Sequence, residues 1–192
     1  MSDEETFAAR PDSALRRGAR AFERVAATAS RIAGWAASAA CLTTLGVVCY
    51  AVAMRYFFNR PQPWSDEAVG WLVVVTVMLA APEAQRRFEH IGVDVATEKL
   101  VGAPRRVAAA AGVVAVLVSA VVMLDEGLEM VAFTRTVGIV SMALPEIPLW
   151  AIQALIPAGA ALLLLVALAQ LACYAAGLEP RGPESKQPDM HE

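Results

Sequence analysis

Along the chain, apolar and charged positions separate into blocks and do not alternate. Charges gather in five patches, residues 3–31, 55–67, 83–106, 125–146 and 179–192, with four stretches nearly free of charge between them. Residues 32–54 give 23 positions without a charge, residues 107–124 give 18, and residues 147–178 give 32. A bilayer core of about 30 Å needs about 20 apolar residues in a helix, so each of these stretches predicts a crossing. The remaining stretch, residues 68–82, has only 15 positions. It spans by borrowing its ends, as a helix over residues 64–87. Asp66 and Glu67 then sit at one headgroup layer, and Glu83, Arg86 and Arg87 at the other. All four runs are apolar all round, which a soluble bundle with polar outer faces does not tolerate. The pattern predicts an all-α integral membrane protein with four transmembrane helices, near residues 32–54, 64–87, 107–130 and 148–174. A basic lead-in (residues 1–31) precedes this membrane domain, which ends at residue 178, and a polar tail (residues 179–192) follows it.

The segments between the runs carry ordinary boundary signals. Asp12 or Ser13 suits an N-cap. Leu15, Phe22 and Val25 then recur near helical spacing with arginines on the other face, as in a helix lying on an anionic leaflet or, equally, in a solvated charged lead-in. Tyr56, Phe57, Phe58 and Trp64 bracket a short loop containing Pro61 and Pro63, the place for interfacial aromatics. Ser65 is positioned to cap the second helix, with Asp66 and Glu67 in its first turn where the helix dipole favours anions. Those carboxylates therefore have a structural reason to be there before any functional one. Glu83 and Arg87 form an i,i+4 pair in the favourable order. Phe88, Ile91 and Val95 fit a short interfacial helix, although Ile91, Val93 and Val95 suit a strand as well. Pro104 ends that connection. The third helix is expected to pass Leu124 and project Asp125, Glu126 and Glu129 into the outer aqueous layer. Gly138, Ser141, Pro145 and Pro148 turn the chain back, with Pro148 in the first turn of the fourth helix. Pro157 should bend that helix or break one of its hydrogen bonds.

Composition agrees: 57% hydrophobic residues and a mean hydropathy of +0.51 exceed what soluble chains show. The net charge of −3 says little, because sidedness is what matters. If the N-terminus is cytoplasmic, the inner segments hold six arginines up to Arg31, then Arg86, Arg87, Lys99, Arg105, Arg106, Arg181 and Lys186. The outer loops hold Arg55, Arg60 and Arg135, so thirteen basic residues face three, and both termini are assigned to the cytoplasm. The first apolar run is longer than a signal-peptide core and reads as a retained helix. Cys41, Cys49 and Cys173 all lie in apolar runs and read as small packing residues, not as disulfide partners or metal ligands.

Several chemistries are excluded. The only histidines, His90 and His191, lie outside the apolar runs, so haem ligation within the membrane is not expected. No acid or base falls in the middle of a predicted span, as a proton-coupled exporter would need. There is no phosphate-cradling loop, metal-ligand cluster or nucleophile beside a base, and no internal repeat of the transporter kind. No cofactor, enzymatic activity or nucleic-acid binding is expected. Small residues on the helices (Ala36, Ala40, Thr43, Thr44 and Gly46, then Gly112, Ala115, Ser119, Ala158 and Gly159) can pack the four helices together or meet a partner.

Taken in order, the loop residues carry a likeness. Arg55-Tyr56-Phe57-Phe58-Asn59-Arg60-Pro61 leads to Pro63-Trp64-Ser65-Asp66-Glu67; after one helix come Arg86-Arg87 and His90-Ile91-Gly92-Val93-Asp94, and later Ile147-Pro148-Leu149-Trp150. This order resembles the small, DctQ-like membrane subunit of tripartite ATP-independent periplasmic (TRAP) transporters over roughly residues 30–175. Asp66 stands where that family usually has Glu, Gly92 where Arg is frequent, and Glu146 where Gly is common. The resemblance implies a non-catalytic scaffold in the bacterial inner membrane, for sodium-dependent uptake of a small carboxylate. It implies as partners a large multi-helix permease subunit and a periplasmic substrate-binding protein. Arg55, Trp64, Asp66 and Glu67 are the candidate residues, for contact with a partner or, through an Arg55 pair with Asp66 or Glu67, for fixing the first hairpin. The alternatives are a structural or assembly subunit of another membrane complex, and a stand-alone small exporter.

Overall fold

The computed structural model describes residues 13–87, 103–142, 147–175 and 178. The expected interfacial element after Arg87, with His90, and the two polar terminal segments lie outside the described residues. Five helices follow one another: α1 (Ser13–Phe57), α2 (Pro63–Arg87), α3 (Ala103–Val137), α4 (Leu149–Gln153) and α5 (Leu155–Ala175). Four stretches, Arg16–Tyr56, Pro63–Arg87, Ala111–Val137 and Leu149–Ala175, are long and apolar enough to cross a membrane.

The basic lead-in and the first span form one unbroken helix of 45 residues. Alanine and arginine dominate its first half and no proline interrupts it, so nothing in the sequence stops the helix at Arg31. It ends where Asn59 adopts φ 54°, a left-handed conformation that asparagine tolerates better than most residues. The Arg60 N–H then donates to the Met54 carbonyl at 3.0 Å. Helix α2 starts with Pro63, whose missing N–H costs nothing in a first turn. At the end of α3, Gly138 takes φ 72°, and its N–H and that of Ile139 both donate to the Thr134 carbonyl at 3.0 and 3.3 Å. A single bridge between Val140 and Pro148 returns the chain to α4. Pro148 stands just before α4, one position earlier than its sequence suggests. Pro157 interrupts the fourth span as expected: without its N–H the Gln153 carbonyl has no helical partner, and α4 and α5 separate at Ala154.

Helix α5 is the hub, packing against α1, α2, α3 and α4, while α1 also packs along α2. The packed surfaces are built of alanine: Ala19, Ala26, Ala33, Ala37 and Ala40 on α1, Ala120 on α3, and Ala160, Ala167 and Ala169 on α5. Small side chains let backbones come close where lipid supplies no hydrophobic drive between helices. Of the small residues singled out above, Ala40 and Gly159 are packed inside, whereas Ala36, Thr43, Gly46, Ala115, Ser119 and Ala158 are exposed. Pro82, buried within α2, explains the closest approach. It cannot donate to the Met78 carbonyl, and Gly159 of α5 packs there so tightly that a Cβ would lie 2.7 Å from the Met78 carbonyl oxygen.

The register corrects two sequence expectations, that the acids of α3 project past the bundle and that no acid falls in the middle of a span. Gly127 of α3 packs against Pro157, two residues from Gly159 and hence near the level of Met78. Met78 stands twelve residues into α2 from Asp66, about 18 Å at ~1.5 Å per residue. Asp125, Glu126 and Glu129 therefore lie level with the middle of α2, across α5, and do not project beyond its end. Sequence spacing missed this because α3 runs on to Val137, well past its apolar stretch.

Candidate functional site

The loop end of the bundle holds all four candidate residues. Trp64 is half-buried, with its ring centroid 6.2 Å from that of Tyr50 on α1. Its indole N–H donates to Gln62 Oε1 at 3.2 Å. Ser65 is not the cap. Helix α2 begins two residues before it, and its buried hydroxyl donates back to the Gln62 carbonyl at 2.7 Å. Asp66 sits in the first turn, exposed, with Glu67 half-buried beside it. Arg55, in the last turn of α1, is exposed as well. The suggested pair of Arg55 with Asp66 does not form: among the described residues, neither makes an ion pair. Backbone hydrogen bonds and the Tyr50–Trp64 contact close the hairpin, so the exposed charges are not needed to fix it. Across the same end, the Arg135 guanidinium lies 5.6 Å from the centre of the Trp150 ring, holding the tip of α3 to α4.

The opposite, basic end carries a cross-helix tie that sequence reading found only in part. Glu83 accepts from Arg87 Nε at 2.8 Å, the anticipated i,i+4 pair, and also from Arg86 through Nε at 2.8 Å and a second guanidinium nitrogen. The buried Ser30 hydroxyl of α1 donates to the same carboxylate at 2.8 Å. Two residues on, Gln85 Nε2 donates to Gln170 Oε1 at 2.8 Å, and Gln170 Nε2 donates to the Gln85 backbone carbonyl at 3.0 Å. These contacts join α1, α2 and α5. No local signal in the sequence pairs Ser30 with Glu83 or Gln85 with Gln170, because their partners are 53 and 85 residues away.

The third group is the set of acids on α3. At 3.6 residues per turn, Asp125 and Glu129 lie about 160° around the helix from Gly127, the residue packed on α5. All three acids are exposed; Asp125 and Glu129 face away from the packed side of α3, with Glu126 on its flank. Among the described residues, the buried polar side chains are Ser30, Ser65, Gln85, Thr134, Ser141 and Gln170, none of them ionisable. Glu83 with its arginines does stand between helices, at the basic end, but among the described residues no Asp, Glu, Lys or Arg side chain is fully buried. An Asp at the centre of a lipid-facing helix costs about 2.5–3.5 kcal/mol on insertion scales, so this face of α3 is better matched to polar protein than to lipid.

Comparison with known families places these features in context. The family model described as tripartite ATP-independent periplasmic transporters, DctQ component, matches residues 44–177. The matched range includes Arg55, Trp64, Asp66 and Glu67 and runs through α5. A search of curated proteins finds no match to the chain.

Proposed function

Because the chain belongs to the DctQ component family of the tripartite ATP-independent periplasmic transporters, we propose that it is the small permease subunit and a non-catalytic scaffold. In this reading it sits in the inner membrane beside a large multi-helix subunit, which carries a small carboxylate inward with sodium after a periplasmic binding protein delivers it. The basic end faces the cytoplasm, as the thirteen-to-three distribution of lysine and arginine supports. The observation that carries the scaffold role is the placement of polar groups. Those between the helices tie α1, α2 and α5 together, while Asp125 and Glu129 point outward from mid-span. A conduit needs polar groups lining its interior, whereas a scaffold needs them on a contact face. Trp64, Asp66 and Glu67 offer a further contact at the periplasmic end, for the large subunit or the docked binding protein.

Purification of the tagged chain from native membranes in mild detergent, with copurifying proteins identified by mass, tests this. A large polytopic subunit in near-equal amount is the expected result. Recovery of the folded chain alone, with carboxylate transport when reconstituted by itself, would establish the stand-alone exporter instead.

A further inference from the structure

Beyond the tie at Glu83, helix α1 continues toward its N-terminus as a ladder of arginines. Arg16, Arg20 and Arg24 follow one another at i, i+4 and i+8, with Arg17 alongside. Like charges at this spacing repel, and Glu23, on the same helix, lies 3.4 Å from Arg20. The four arginines line an open groove of about 310 Å³, together with Ala21 and Leu178. Its apolar wall is fixed in place: the Leu178 N–H donates to the Cys173 carbonyl at 2.9 Å, and its side chain packs against Ala19 and Cys173. Arg24 stands six residues beyond Ser30, about 9 Å at ~1.5 Å per residue, where the apolar run of α1 has given way to charge.

We propose that this groove binds the phosphodiester headgroup of an anionic phospholipid, with the arginines on the phosphate and an acyl chain against Leu178 and Ala21. Guanidinium groups bind phosphate oxygens through paired N–H donors, and a bound anion relieves the repulsion along the ladder. An apolar wall beside a phosphate site distinguishes a lipid from a free anion, because only a lipid supplies both parts. The inference depends on neither the transport reading nor a partner subunit.

The test is thermal unfolding of the purified full chain in non-ionic detergent micelles doped with dioleoyl-phosphatidylglycerol, dioleoyl-phosphatidylcholine or inorganic phosphate. Phosphatidylglycerol is expected to raise Tm by a few degrees and phosphatidylcholine to leave it unchanged. The variant Arg16→Gln/Arg20→Gln/Arg24→Gln should lose most of that rise, while Arg55→Gln/Arg60→Gln at the other end should keep it. Native mass spectrometry of the same samples reads retention directly, whatever the variant's own stability, and the triple variant should retain less phosphatidylglycerol. An equal rise with phosphatidylcholine, or equal retention in the triple variant, overturns the proposal. The full rise with inorganic phosphate alone would make the groove a free-phosphate site and overturn the lipid assignment.

Discussion

At the basic end of the bundle Glu83 is held by Ser30 of α1 and by Arg86 and Arg87 of its own helix, and Gln85 reaches across to Gln170 of α5. At the loop end Arg55 and Asp66 stand exposed on either side of a turn and form no ion pair. Both ends are rich in charge, and each uses some of it between helices, Glu83 with Ser30 at one and Arg135 over Trp150 at the other, but at the loop end Arg55 and Asp66 take no part. Polar groups committed to partners within the chain are closed to anything else. Arg55 and Asp66 at the loop end keep their hydrogen-bonding capacity for contacts from outside, and so do the acids on the open face of α3. Charge alone therefore does not mark a contact surface; charge left over after the chain's own packing does.

The comparison predicts a graded series of effects, measured as unfolding free energy by denaturant titration in detergent. Glu83→Leu should be the most severe, at about 2–3 kcal/mol, because it strands Arg86 and leaves the buried Ser30 hydroxyl without its inter-helix acceptor. Gln170→Leu should cost about 1–2 kcal/mol, since Gln85 loses its side-chain partner in a buried site. Asp66→Ala with Glu67→Ala should cost less, about 0.5 kcal/mol, as expected of residues exposed or half-buried at a helix start. The same double variant is expected to insert normally but to lower uptake by the assembled transporter. Unchanged uptake would remove the loop-end carboxylates from the contact surface. A loss of stability there equal to that of Glu83→Leu would erase the distinction between the two ends.

How much of this was legible in the sequence varies by element. The four spans were readable because a bilayer imposes a length of apolar helix that few other settings require. The break at Pro157 was readable because a missing N–H acts locally. The pair Glu83–Arg87 was readable because four residues make one turn. Three features were not. The start of α2 falls at Pro63, because proline at the first helical position competes with a serine cap two residues later. The continuity of α1 through Arg31 was hidden because the composition changes there while helix propensity does not. The level of Asp125 and Glu129 was misread because hydropathy measures the length of an apolar run, not where a neighbouring helix stands beside it.

The sequence by itself determined an all-helical membrane chain with four spans, the likeness to the DctQ component, and the positions of Trp64, Asp66 and Glu67 around the first loop. The spans and the loop positions follow from local composition and spacing, and the likeness is a resemblance carried by the order of the loop motifs, all of which a linear reading contains. Only the tertiary structure decided that Ser30 meets Glu83, that Gln85 meets Gln170, and that Gly159 sits on the carbonyl left unpaired by Pro82. It likewise decided that Asp125 and Glu129 face outward, level with the middle of α2. These depend on the register between helices far apart in the chain, and that register is set by close packing of alanine and glycine surfaces whose fit no single segment encodes.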